Sequence, residues 1–183
     1  IVSAGGDQSA VLKSDGSIEA WGENIGYLGD LATANDVVDI SVGSSHAIAL
    51  HSNGTVSTWG NNNVGEQVIP EGLDNVVAIS AGNNHSIALR SDGTLATWGS
   101  WWCYEGCWGW QGNVAPDDII NVVAISAGEH HSLALLSDGT VRAWGDNQFE
   151  QTDVPENLDN VIAISGGKYH SMALHSDGTV TAW

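Results

Sequence analysis

The chain has 183 residues, enough to bury a sizeable core, and sets 22 Asp and Glu against 4 Lys and Arg, a formal charge of −18. That balance argues against nucleic acid, whose affinity comes mainly from cations on phosphate, and against an anionic membrane surface. No stretch approaches the roughly 18 apolar residues of a membrane span, and Ile1 opens directly into strand-like sequence with no signal peptide in view.

Taken in chain order, one unit is written five times. AGGDQSAVLKSDGSIEAWG starts at Ala4, VGSSHAIALHSNGTVSTWG at Val42 and AGNNHSIALRSDGTLATWG at Ala81. AGEHHSLALLSDGTVRAWG follows from Ala127 and GGKYHSMALHSDGTVTAW from Gly166. The units close on Trp21, Trp59, Trp98, Trp144 and Trp183, at spacings of 38, 39, 46 and 39 residues.

Each unit predicts three short strands. The first is apolar and β-branched, as in Val76 to Gly82 (VVAISAG), and ends at glycine. A variable pair of residues leads to the second, HSIAL or HSLAL, where Ser86 and Ala88 alternate with Ile87 and Leu89. Ser-Asp-Gly, or Ser-Asn-Gly in the second unit, makes the hairpin turn to the third strand, as in TVRAW. A polar connector such as VPENLDN (Val154 to Asn160) returns to the next unit. Helical periodicity is missing throughout. The expected fold is therefore all-β: a β-propeller of about five three-stranded antiparallel blades, either a closed five-bladed ring or part of a larger propeller. As one domain it divides into repeats at about 1–22, 37–60, 76–99, 122–145 and 161–183 plus connectors.

The repeating pattern A-G-x-x-H-S-x-A-L-x-S-D-G-x-V-x-A-W-G, with its V-P connector and return to N-V-V-A-I, resembles the regulator of chromosome condensation repeat across essentially the whole chain. Within that superfamily the short three-stranded units are most similar to those of the secreted type II β-lactamase inhibitory proteins of bacteria. The resemblance implies a propeller whose loops form a protein-binding face, usually closed by seven blades, and implies no enzymatic activity.

Few residues offer chemistry. His46, His85, His131 and His170 share one position, with Gln8 in the first unit, and are expected to hydrogen-bond locally within their own blades. His130 beside His131 makes a poor chelate, and neither a metal nor a cofactor is expected. The five repeat tryptophans are expected in the core between blades. Asp15, Asp92, Asp138 and Asp177 read as turn formers, since Asn53 replaces the aspartate while the pattern persists. Catalytic signatures such as G-x-S-x-G, a phosphate loop or H-E-x-x-H are missing, so an enzyme is not expected. Asn53-Gly54-Thr55 and Asn84-His85-Ser86 match the glycosylation acceptor pattern, but both fall in repeat positions and read as by-products of the repeat.

The long spacing contains an inserted loop at 100–110, SWWCYEGCWGW, which holds four of the nine tryptophans and both cysteines. Cys103 and Cys107 suit a small disulfide-closed ring, whose value is local because so short a loop removes little unfolded-state entropy. The candidate binding residues are Trp101, Trp102, Tyr104, Glu105, Trp108 and Trp110, side-chain types enriched at binding hot spots when exposed. The leading expectation is a non-enzymatic module that binds a protein partner through this loop, with inhibition as one mode. The alternatives are a carbohydrate-binding, lectin-like propeller or a structural repeat module of a larger surface protein. The disulfide points to a secreted or cell-surface location.

Overall fold

A computed structural model describes residues 1–22, 35–102, 110–112 and 114–183, with backbone alone at 101, 102 and 110–112. Every regular element among them is a β-strand. Blade 1 is β1 (Val2–Gly5), β2 (Gln8–Leu12) and β3 (Ile18–Gly22), and blade 2 is β4 (Val37–Val42), β5 (His46–His51) and β6 (Val56–Gly60). Blade 3 is β7 (Val76–Ala81), β8 (His85–Arg90), β9 (Leu95–Trp102) and β10 (Trp110–Gly112). Blade 4 is β11 (Val122–Ala127), β12 (His131–Leu136) and β13 (Val141–Gly145), and blade 5 is β14 (Val161–Gly166), β15 (Ser171–His175) and β16 (Val180–Ala182). Each blade is a separate antiparallel sheet in sequence order. The all-β, three-stranded reading holds, except that blade 3 carries a fourth strand.

The hairpin turns follow from their side chains. In blade 3 the Asp92 carboxylate accepts the Thr94 amide at 3.0 Å and its hydroxyl at 2.7 Å, while Gly93 takes φ +82°. Asn53 makes the same two bonds to Thr55 in blade 2.

Blades hold to one another by alternation of size. Ile48 and Leu50 of β5 bury against Ile79, Ala88 and Trp98 of blade 3, and Ile87 and Leu89 of β8 against Ala134 and Trp144 of blade 4. Full burial of Ile87 alone contributes about 1.5–3 kcal/mol. Polar seams run beside this packing. Ser3, Ser41, Ser80 and Ser126 each accept a main-chain amide of the following blade, from Val42, Ala81, Ala127 and Gly166, at 2.8–2.9 Å. The repeat histidines do the same, and here the expectation of bonds within one blade is corrected. His46 meets Ser86 at 2.8 Å, His85 meets Ser132 at 3.2 Å and His131 meets Ser171 at 2.9 Å, always one blade on. A histidine is long enough to cross the seam, and a serine one residue past the next histidine position waits there.

The tryptophan expectation holds unevenly. Trp98 and Trp144 are buried, Trp59 packs against the blade 1–2 cluster, and Trp183 against the blade 4–5 cluster. Trp21 is instead 51% exposed: the other repeat tryptophans pack toward the preceding blade, and among the described residues no blade lies against Trp21 on that side. Val180 of blade 5 is likewise 60% exposed where its counterpart Val141 is 4%. Among the described residues the buried clusters join blades 1–2, 2–3, 3–4 and 4–5, so the five blades form an arc rather than a closed five-bladed ring.

Candidate functional site

The insertion is built as an extension of the sheet. In blades 1, 2 and 4 the third strand stops at the glycine after tryptophan, at Gly22, Gly60 and Gly145. In blade 3 the chain continues past Gly99 through Ser-Trp-Trp, whose two tryptophans favour a strand, and β10 pairs back on it. Trp110 lies opposite Trp102, Gln111 opposite Trp101 and Gly112 opposite Ser100. The Ser100 hydroxyl donates to the Val64 carbonyl at 3.1 Å, tying the root of this hairpin to the blade 2–3 connector. Cys103, Tyr104, Glu105, Cys107 and Trp108 lie outside the described residues.

The root fixes which face carries the hairpin. Gly99 pairs with His85, beside the turn Asn83-Asn84 that joins β7 to β8. The Asn83 amide donates to the Glu129 carbonyl in the equivalent turn of blade 4, and the Glu129 amide to Gly167 in that of blade 5. The variable turns of successive blades therefore lie on one face with the hairpin, whereas the Ser-Asp-Gly turns lie at the other end of the strands.

This turn face has a centre and a rim. The glycines that close the first strands (Gly5, Gly43, Gly82, Gly128, Gly167) line an axial cavity of about 310 Å³. They sit where a side chain does not fit: a Cβ on Gly82 would lie 2.2 Å from His85 Cε1 and 2.6 Å from the Gly128 carbonyl. On the rim, Phe149 and Tyr169 are 57% and 46% exposed with ring centroids 4.7 Å apart. The Lys168 ammonium stands 5.0 Å from the Tyr169 ring centre and pairs with Glu129 at 3.2 Å, which raises its pKa. His130 lies 3.5 Å from the other Glu129 oxygen.

A model of the regulator of chromosome condensation (RCC1) repeat matches residues 37–66, 76–100, 122–151 and 161–183. The chain belongs to the RCC1 repeat family. Yeast RCC1 (Prp20), solved bound to Kap60, is similar in fold at 23% identity and a TM-score of 0.74, over 97% of this chain and 54% of that one. The CRINKLY WD40 ectodomain of the Arabidopsis thaliana receptor kinase ACR4 gives 21% and 0.77, over 100% of this chain and 70% of that one. The ectodomain of the Physcomitrella patens receptor kinase CR4 gives 22% and 0.76, over 100% and 52%. The chain thus spans about half the length of the yeast and Physcomitrella proteins. A search of curated proteins returns no match. The RCC1 repeat model passes over the first unit, which has Gln8 in place of histidine and Ala10-Val11 where later units have a large residue before alanine.

Within this RCC1-type arc the serine–histidine contacts have the distances of a nucleophile and its base, but at His131–Ser171 the polarity is wrong for that role. The Ser171 hydroxyl donates to the Gln151 carbonyl at 2.7 Å, so it accepts from His131, whose proton is thereby assigned to Nε2. The imidazole gives a hydrogen bond here and does not take the hydroxyl's proton. Burial also holds these rings neutral, with the His46 pKa pushed down to about 4, His85 to about 3 and His131 to about 4. Among the described residues no group of three or more His, Cys, Asp or Glu is arranged to hold a metal, and no helix is long and apolar enough to cross a membrane. The sequence marked the hairpin but missed the rim. Its only signal was negative: the pair before each second strand (Asn83-Asn84, Glu129-His130, Lys168-Tyr169) is what the repeat leaves free to vary.

Proposed function

We propose that this RCC1-repeat arc is a non-enzymatic, protein-binding scaffold whose binding site is the turn face, led by the Trp-rich hairpin at 100–110 and completed by the Phe149–Tyr169–Lys168 rim. The observation that carries this reading is convergence: the one inserted hairpin rises from the face on which an aromatic pair and a lysine stand exposed. Tryptophan and tyrosine are enriched among the residues that dominate binding energy, and rigid presentation lowers the entropy lost on binding. Relatives of the same fold support it, since yeast RCC1 is solved with Kap60 and Prp20p is described by its binding to Gsp1p and histones. The polarity of the His131–Ser171 contact supports a role without catalysis.

In the same proposal Cys103 and Cys107 close a disulfide that fixes how Trp101, Trp102, Tyr104, Glu105, Trp108 and Trp110 are presented, and the protein acts outside the reducing cytosol. Inhibition of a bound enzyme is the mode that the resemblance to the β-lactamase inhibitory proteins suggests. A lectin would repeat its pocket blade by blade, whereas this hairpin stands on one blade.

The test is a paired capture experiment. One bait is the intact protein and the other has Ser100 to Trp110 shortened to the connector pattern of Asn61 to Val64, both checked for equal folding. A protein retained by the intact bait alone is the expected result. Retention of glycans instead of protein, or equal retention by both baits, refutes the reading.

A further inference from the structure

We propose that Asn53 is an N-glycosylation acceptor in the folded protein, a modification site on the face opposite the hairpin, and that Asn84 is not. The two copies of the Asn-X-Ser/Thr pattern look equivalent in the sequence, and the structure separates them. Asn53 and Thr55 are exposed at the tip of the β5–β6 turn. Behind Asn84, His85 and Ser86 are 0% exposed, with Ser86 held by His46 across the seam. An acceptor tripeptide has to be presented on a surface loop, and only the first is.

Comparison among the five repeats gives the argument its weight. At this turn Asp15, Asp92, Asp138 and Asp177 use one carboxylate oxygen to accept the amide two residues on, at 2.9–3.0 Å. Asn53 makes that bond with Oδ1 and also accepts the Thr55 hydroxyl at 2.7 Å. The turn therefore needs only the oxygen, and aspartate supplies it four times. What asparagine adds is Nδ2, which makes no hydrogen bond among the described residues. The Thr55 hydroxyl, the second element of the acceptor, already lies against the same amide. Gly54, at φ +79°, puts no side chain between them.

The co-reactant is an oligosaccharide carried on a polyprenyl diphosphate. Asn53 Nδ2 forms the bond to the sugar C1, the C1–oxygen bond to the diphosphate breaks, and the Nδ2 proton leaves with the diphosphate. The glycan would stand on the Ser-Asn-Gly side, clear of the hairpin and the rim. Where in life the transfer happens rests on the extracellular placement proposed above; the competence of the folded site does not.

The experiment keeps the two apart. The purified, folded chain is incubated with a single-subunit oligosaccharyltransferase that accepts Asn-X-Thr and its lipid-linked oligosaccharide, and the product is read by intact mass and peptide mapping. The expected product carries one glycan, at Asn53. Asn53→Asp, which the other four repeats show to be compatible with the turn, abolishes it with an unchanged melting curve. Thr55→Ala reduces it by tenfold or more, and Asn84→Gln changes nothing. A folded chain left without sugar, one modified only after denaturation, or one glycosylated at Asn84 as readily as at Asn53 overturns the proposal, whatever the capture experiment shows.

Discussion

A histidine sealed between two sheets is a liability at low pH, and three of them lie in successive seams here. His46, His85 and His131 are 0% exposed, and burial holds them neutral well below the ordinary value of 6.5. The folded chain then binds fewer protons than the unfolded chain once the pH drops below about 6.5. Their contribution is complete above pH 7 and is lost progressively as pH falls from about 6.5 toward 4. Thermal unfolding at pH 5 should therefore occur at least about 2–4 °C below that at pH 7.5, the shift that 1 kcal/mol makes in a domain of this size. Replacing His131 with glutamine should remove part of that dependence, because glutamine is neutral at both pH values. Equal melting temperatures at the two pH values would show that the rings do not titrate with folding. The sequence displayed these histidines plainly but not where they reach. Gln8 held the clue, since the residue it would meet one blade on is Ala47 rather than serine, and it donates instead to the Ser44 carbonyl at 3.4 Å.

At the scale of the element, two kinds of glycine do different work. Gly139 sits in an Asp-Gly turn with φ +86° and open space around it, so Gly139→Ala meets only backbone strain. Gly82 ends β7 at an ordinary φ but lies against His85 and the backbone of blade 4, so Gly82→Ala drives a methyl into both. The expected costs are about 1 kcal/mol for the first and about 3 kcal/mol or more for the second. Urea unfolding of the two variants checks the order, and a reversal would mean that the seam relaxes around a methyl group. Alternation in HSIAL and the Ser-Asp-Gly signals made strands and turns legible, because both depend on neighbours within a few residues. The hairpin on blade 3 was legible only as an interruption of the period. Whether Trp101 and Trp102 continue a strand is decided by β10 pairing back on them, and spacing alone does not encode that.

The whole molecule inherits its stability from its seams, as repeat proteins do, each blade contacting only its neighbours. Blades 2, 3 and 4 are covered on both sides, and their central strands β5, β8 and β12 are buried at five consecutive positions. Among the described residues blade 5 is covered on the blade 4 side alone. Met172 is half-buried where Leu133 is 0% exposed, and among the described residues no amide reaches Ser165 as that of Gly166 reaches Ser126. Blade 1 shows the same imbalance in Val2, 71% exposed, and in Trp21. Local opening follows buried contact, so the arc should loosen from its two ends inward. Amide hydrogen exchange should rank β5, β8 and β12 slowest and β2 and β15 faster by an order of magnitude or more, since about 1.4 kcal/mol of lost seam is a factor of ten in opening. Because the hairpin stands on blade 3, it would rest on the most protected part of the arc, where a binding face loses least order on engaging a partner. Uniform protection across all five blades would mean instead that the arc opens as one cooperative unit and that its seams are too strong to melt separately.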